Sequence, residues 1–299
     1  MALKLLSHDQ IDQQKWDKAI LKHQLPLVFA QSFYLNATCK NWKALVLDDY
    51  KAVMPITEGK KLNIKYLFQP PFTPQLGVFG MDDEKITDQF LITVKELYKF
   101  IEIELNASNV TSEKELKEKN TFVVDLSKEV KLNENTKRNI SKAKKSNITV
   151  KVLSDYNAIG KLTNTYLVPW LIKEIGISAK HGDVFKNLVK SCFDANKLLV
   201  LAAYSESNEL LSFGYFVSNG SHAVYLKGMS LHKKDNSGSM HLLMAAALDH
   251  YRSKSQWFDF GGGNSQGMAN FYKGLGGQVQ TYHLLKVNNL AWPLNKLKK

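Results

Sequence analysis

The sequence predicts an α+β protein in two halves, each a mixed, mostly antiparallel sheet flanked by helices. KLLVLAAYS, ELLSFGYFVSNG and HAVYLKGMS, ending at Ser230, are consecutive β-branched and aromatic runs separated by the turn signals SESN and SNGS. They read as a meander. The glycine- and serine-bearing loop HKKDNSGS then leads into the helical pattern MHLLMAAALDHYRSK, followed by a strand, a second helix and a last strand. The first half offers a reduced version of this order. No low-complexity linker parts the halves, and the boundary is set between residues 147 and 148, with about the last ten residues expected to be able to pack back on the first half.

Taken in order, a short amphipathic opening precedes WKALVLDD (Trp42 to Asp49) and KAVMPIT (Lys51 to Thr57), two strands joined at a tight polar turn, with LNIKYLF as a third. QPPFTPQLGVFG carries three prolines between Gln69 and Pro74 and closes on Gly80, which makes it a loop of restricted backbone. MDDEKITDQFLITVKELYKFIEIEL has acids in its first turns and apolar residues at Ile86, Phe90, Leu91, Val94, Leu97, Tyr98 and Ile101, the pattern of one long amphipathic helix. Thr121 to Leu126 reads as a strand. In KLNENTKRNISKAKKSNITVKVLSD, Asn133 or Asn135 caps a helix whose exposed face is Lys137, Arg138, Lys142, Lys144 and Lys145, either a solvated face or an anion-docking one. ITVKVL is a strand, and Asp155 to Glu174 and Asp183 to Ala195 are helices. After the meander and its helix come the strand QWFDF, the glycines Gly261 to Gly263, the helix GMANFYKGL and the final strand QVQTYHLLKV.

Composition restricts the partners. Lys plus Arg number 40 against 28 Asp plus Glu, a net charge of +12, which favours an anionic partner. The excess is lysine, with Arg138 and Arg252 the two arginines, so base-specific reading of DNA is not expected. Cys39 and Cys192 have no metal-ligand spacing and read as buried thiols. His222, His232, His241, His250 and His283 are scattered, so no metal site is expected. The opening MALKLLSHDQ turns polar after six residues and no run approaches a spanning helix, which predicts a soluble, cytoplasmic protein without integral membrane association.

The loop ending at Gly238, Ser239 and Met240 opens a long helix, where orphan N–H groups and the helix dipole suit an anion; Ser237 or Ser239 serving only as N-cap is the plainer alternative. The order of meander, anion loop, helix, strand, and a helix bearing Ala269, Phe271, Tyr272 and Gly276 resembles the GNAT (acyl-CoA N-acyltransferase) fold. That resemblance implies that Lys227, Gly228 and Met229 end a splayed strand, that Gly238, Ser239 and Met240 hold the donor's phosphates, and that Tyr272 protonates the leaving group. The chain has Asp235 and Met240 where the family's loop has a basic or amide residue and its second glycine. Two such halves, NTKRNISKAKKSNITV at their junction and DFGGGNSQGMANFYKGLGG near the end are similar to the FemAB-like branch, whose T-R-x-x-I-x-x-A segment corresponds to Thr136, Arg138 (shifted by one), Ile140 and Ala143.

The FemAB-like resemblance implies transfer of an aminoacyl group from charged tRNA to a cell-wall-precursor amine. The wider GNAT resemblance implies acyl-CoA as donor and a small-molecule or polysaccharide amine as acceptor. Tyr272 fits the acyl-CoA branch and Lys273 the aminoacyl one, so the donor stays open, as does a non-catalytic module for an anionic ligand. Chemically, acyl transfer needs a neutral amine, an oxyanion donor such as the Met229 N–H or Lys273, and an acid such as Tyr272. Asp259, at the end of an apolar strand, is the candidate base or else a strand-end cap. Acceptor contacts are expected from Gln69, Gln75, Tyr225 and Arg138, with the Gln69 to Gly77 loop either lining a cleft or only connecting strands.

Overall fold

The computed structural model describes residues 3–81, 83–232, 236–263 and 265–296. The chain divides into two compact units, Met1–Lys119 with Thr281–Lys299, and Asn120–Gln280. The first unit thus takes back the end of the chain, and the 147/148 division read from the sequence falls inside the second.

In the first unit, β1 (Leu3–Leu6) leads to α1 (Gln13–Lys22), capped by Asp12, and α2 (Ser32–Thr38). β2 (Lys43–Leu47) and β3 (Ala52–Ile56) form the expected hairpin. With β6 (Phe79–Gly80) they make a sheet of order β1-β2-β3-β6. β4 (Glu58–Lys61) and β5 (Ile64–Phe68) pair antiparallel, and α3 (Glu84–Leu97) follows the proline loop.

The long helix expected to run on through Phe100 stops at Leu97. Phe100–Glu104 is β7, parallel to β5 and antiparallel to the last strand. Paired with these two strands, Phe100-Ile101-Glu102-Ile103-Glu104 buries Ile101 and Ile103 and leaves the two glutamates half-exposed, the period of two of a strand. Ile101 and Ile103 join Phe90, Val94, Leu67 and Met54 in the core of this unit.

In the second unit, β8 (Leu116–Asp125) precedes α4 (Glu134–Lys145), whose cap is Asn133. After β9 (Thr149–Leu153), α5 (Tyr156–Lys161) continues through a π-helical stretch (Leu162–Leu167), α6 (Val168–Trp170) and a second π-helical stretch (Leu171–Ile175). α7 (Ala179–Asp194) leads into the meander β10 (Leu198–Tyr204), β11 (Leu210–Ser218) and β12 (His222–Ser230). α8 (Ser239–Tyr251), β13 (Trp257–Asp259) and α9 (Gln266–Gly274) follow, and β14 (Gln278–Asn288) carries the chain back to the first unit, where it pairs with β7.

The sheet of this unit runs β8-β13-β12-β11-β10-β9, antiparallel except for the β12/β13 pair. Leu243, Met244, Ala247 and Leu248 of α8 pack on it with Phe216, Phe258, Phe260 and Tyr272. Phe185 of α7 meets Tyr215, whose side chain points to the opposite face from Phe216 by strand alternation. Cys39 and Cys192 are buried and free. Among the described residues no helix is long and apolar enough to cross a membrane.

Candidate active site

The site is organised by a pairing that stops. β12 and β13 run parallel only at His222↔Trp257, Ala223↔Phe258 and Val224↔Asp259, after which β12 continues to Ser230 while β13 ends. Tyr225 to Ser230 therefore keep β11 on one edge and have no strand on the other among the described residues. Such an edge leaves backbone N–H and C=O groups free for a ligand.

A bulge reshapes the same strand. Tyr225 pairs with Phe216 and Lys227 with Tyr215, leaving Leu226 as the extra residue. Regular alternation would put Tyr225, Lys227 and Met229 on one face. The bulge turns Tyr225 to the face of Phe216, 5.4 Å away ring to ring, and Lys227 and Met229 to the face of Tyr215 and Phe213. Lys227 is half-buried there, and burial lowers its pKa. Among the described residues no carboxylate lies within ion-pair distance of it.

Glycines let the remaining parts approach. At Gly228 a Cβ would lie 2.6 Å from the Tyr225 hydroxyl and 2.5 Å from Phe213 O, so the phenol folds over the free section of β12. At Gly261, with φ +70°, a Cβ would lie 2.7 Å from Tyr225 O, and no L side chain fits. The chain leaving β13 thus passes directly against β12 as the two strands part.

Asp259 holds that turn. Its Oδ1 accepts hydrogen bonds from Gly261 N at 2.7 Å and Thr121 Oγ1 at 2.6 Å, and Gly262 N donates to the same threonine hydroxyl at 3.2 Å. Asp259 and Thr121 are both fully buried. The other carboxylate oxygen, Oδ2, has no hydrogen-bond partner and stands 3.7 Å from Nε2 of His222, which is also buried. Sequence reasoning missed Thr121 and His222. Thr121 is a strand residue 138 positions from Asp259, and nothing in its neighbours marks it.

α9 supplies Tyr272. Ser265, and not Asp259, caps this helix, its hydroxyl accepting from Met268 N. Tyr272 is buried, stacked on Phe260 with ring centroids 4.5 Å apart at 17°. Burial first, and the nearby Asp259 charge second, push its pKa up to about 12. The Tyr225 hydroxyl is likewise raised, by burial and then by Tyr272. Lys273 is exposed, its ammonium 6.0 Å from the centre of the Phe122 ring, which flanks Tyr272.

α4 braces the two helices of the site. Asn133 N donates to Gly274 O, and a Cβ at Gly274 would lie 2.7 Å from the Thr136 hydroxyl. At its next turn Asn139 O fills the space a Cβ would take at Gly238, 2.2 Å away, where the chain enters α8 with φ +80°. Thr136 and Ala143, two positions of the family-like segment, are buried packing residues, whereas Arg138 is exposed. Ser239 is buried and Met240 lies against the core. Lys233, Lys234, Asp235 and Asn264 lie outside the described residues.

The structure therefore brings Tyr225, Gly228, Asp259 and Tyr272 together around the parting strands. It puts Lys227 and Met229 on the other face of the sheet, and Gly238, Ser239 and Met240 where α8 meets α4. Gln69 and Gln75 belong to the first unit. Gln69 donates to Thr73 O and accepts from Glu104 N, and buried Gln75 accepts from Ala107 N. Among the described residues no group of three His, Cys, Asp or Glu side chains is placed to hold a metal.

Comparison with solved structures follows this geometry. FemX superposes over the whole of both chains with a TM-score of 0.71 at 13% identity. The chain has the tandem GNAT fold of FemX. The C-terminal domain (DUF2156) of a protein assigned as a lysylphosphatidylglycerol synthetase from Agrobacterium fabrum gives a TM-score of 0.60 at 12% identity, covering 93% of this chain and 92% of that one. A tandem GNAT protein from the clavulanic acid biosynthesis pathway gives 0.52 at 8% identity over 95% and 98%. No protein-family model matches the chain, and no curated protein matches it in sequence.

Proposed function

We propose that the chain is an N-acyltransferase that moves an aminoacyl group from charged tRNA onto an amine, with the chemistry in the second unit. The observation that carries this reading is the parting of β12 from β13 beside a buried phenol whose pKa is pushed up to about 12. An acyl ester laid along the free edge of β12 would find backbone N–H groups for its tetrahedral oxyanion, those of Gly228 and Ser230; the Met229 N–H expected in that role faces β11, because Leu231 N bonds Leu211 O and Phe213 pairs with Met229 in the same phase. The neutral amine attacks the carbonyl carbon, the bond to the leaving oxygen breaks, and Tyr272 gives that oxygen its proton. The amine's surplus proton passes to solvent or returns to the phenolate.

The raised phenol supports an ester donor over a thioester. A thiolate is a stable anion near neutral pH, with a thiol pKa of about 8.5, and gains little from an acid as weak as Tyr272. A ribose alkoxide is far more basic and takes a proton from such a phenol readily. Asp259, buried and already accepting two hydrogen bonds, is proposed as the positioning residue that sets the glycine turn and keeps the phenol protonated, not as a base free to meet substrate. Lys227, Gly228 and Met229 are proposed to border the donor, and Tyr225 the acceptor.

Acyl-CoA is the second reading, favoured by the likeness to a tandem GNAT protein. Against it, the glycine opening α8 is required by the Asn139 carbonyl packed on it, which puts partial negative charge where a pyrophosphate would approach. The acceptor is proposed as a cell-wall-precursor or small-molecule amine. Thermal unfolding with charged tRNA and with acetyl-CoA tests the choice: stabilisation by the RNA alone is expected, stabilisation by the thioester alone would transfer the assignment to acyl-CoA, and no shift with either would favour a non-catalytic module.

A further inference from the structure

α4 has two unlike faces, and only the inner one is used by the brace. On the outer side Leu132, Lys137, Ile140, Ser141, Lys144 and Lys145 line a depression of about 530 Å³. Leu132 and Ile140 are half-buried at its floor while Ser141 and the lysines are exposed around it. The helix positions 137, 140, 141, 144 and 145 repeat at the spacing of a single face, and Lys137 and Lys144 stand two turns apart, about 10 Å along the axis. Lys142 and Arg138 add to a helix whose five cations face one carboxylate, Glu134, already paired with Lys137 at 2.8 Å. Lys144 and Lys145 have no ion-pair partner among the described residues. In the last turn they also offset the helix dipole, but that needs neither a concave floor nor Lys137 at the other end.

The geometry points to this face as the docking surface for the phosphate backbone of RNA, the body of the aminoacyl donor. The inference rests on the aminoacyl-transfer reading above and names where that donor is held. Lysines are compact point charges that neutralise phosphates without reading bases, as a donor recognised by its backbone requires. Ser141, a hydroxyl set among them, suits a ribose 2′-OH, the group that separates RNA from DNA. A half-buried apolar floor beneath a charged rim takes a sugar or base. A membrane-binding face needs the reverse, apolar side chains protruding beyond the lysines. The placement also fits, because Lys137 follows Thr136, whose hydroxyl meets Gly274, the residue after Lys273. RNA on α4 thus lies beside the helix that carries Tyr272.

The test is tRNA binding by the full chain, followed by fluorescence anisotropy from low to moderate salt, in wild type and Lys144→Gln/Lys145→Gln. Glutamine keeps the helix propensity, so the fold is retained and the melting temperature checks it. The expected result is weaker binding at every salt, with the slope of log affinity against log salt reduced by about two, one for each phosphate no longer neutralised by a lysine. Lys60→Gln/Lys61→Gln, on a hairpin of the first unit, is expected to leave the slope unchanged. An unaltered slope in the α4 variant overturns the proposal. So does binding to phosphatidylglycerol vesicles that is lost in that variant while tRNA binding is kept. RNA docking here without aminoacyl transfer would leave this surface standing and remove the donor assignment; transfer from charged tRNA with an unaltered slope would do the opposite.

Discussion

Each unit contains a tight loop built around a glycine that admits no side chain, and the two differ in what they leave unsatisfied. In the first unit Gly77, φ +96°, sits where a Cβ would lie 2.3 Å from Oδ1 of Asn109, whose carboxamide bonds both N and O of Val78. Beside it Gln75 accepts from Ala107 N and leaves its Nε2 without a partner, a neutral group. In the second unit Gly261 sits against Tyr225 O, Asp259 closes the turn, and the group left over is a carboxylate oxygen whose charge helps raise the pKa of the Tyr272 phenol. An unsatisfied neutral amide costs about 1–3 kcal/mol; a buried charge costs more and acts at a distance. The first loop is an architectural closure with a small residual cost. The second stores electrostatic bias beside an open strand edge, the combination expected at a reaction centre.

The largest expected effect separates the two loops outright. Tyr272→Phe keeps the stack on Phe260 and is expected to slow acyl transfer by about 10²–10⁴-fold with little change in melting temperature. Gln75→Leu in the first unit is expected to leave the rate per folded molecule unchanged. Next come the glycines. Gly261→Ala and Gly77→Ala both force a β-carbon into occupied space at positive φ, and each is expected to lower stability by at least 1–2 kcal/mol, roughly the left-handed backbone strain alone. Only the first should also lower the rate of the molecules that remain folded, which urea titration combined with activity per folded fraction would show.

Asp259→Asn probes the charge itself. The carboxamide oxygen can still accept from Thr121 and Gly261 N, while the negative charge that helps raise Tyr272 is gone, so its phenol should ionise at lower pH than in wild type. A raised tyrosine pKa favours the neutral form in the folded state. Its contribution is complete below the unfolded value near 10 and is lost as pH climbs through about 12. Alkaline difference spectra, with Tyr272→Phe identifying the signal, should therefore show the transition moving downward in Asp259→Asn; an unmoved transition would separate the carboxylate from the phenol. The smallest effect belongs to Lys273→Ala. This side chain is exposed over Phe122, and its removal should change stability by no more than about 0.5 kcal/mol.

Local chemistry makes most of the fold legible in the sequence. The meander, Asn133 as the α4 cap and the order of α8, β13 and α9 all follow from alternation, capping residues and glycines. Phe100 to Glu104 reads as helix because its apolar residues also fit the helical period of the preceding segment; only pairing with β5 and β14 selects the strand. At the site, Asp259, Tyr225 and Tyr272 are visible as polar or aromatic groups among glycines. The bulge at Leu226, the reach of Thr121 and the proximity of His222 are not, since each depends on which strands become neighbours. Gly238 shows the same limit: a glycine before a helix suits an anion or a helix contact equally, and the Asn139 carbonyl packed on it comes into view only with the fold.

Single-turnover transfer from aminoacyl-tRNA to an amine acceptor, measured in wild type and Tyr272→Phe with tRNA affinity followed in parallel, tests the central claim most directly. Transfer in the wild type, slowed at least about 100-fold in the variant at unchanged tRNA affinity, is the predicted result. Equal rates in the two proteins would contradict it, because the phenol beside the parting strands would then not be the group that releases the donor.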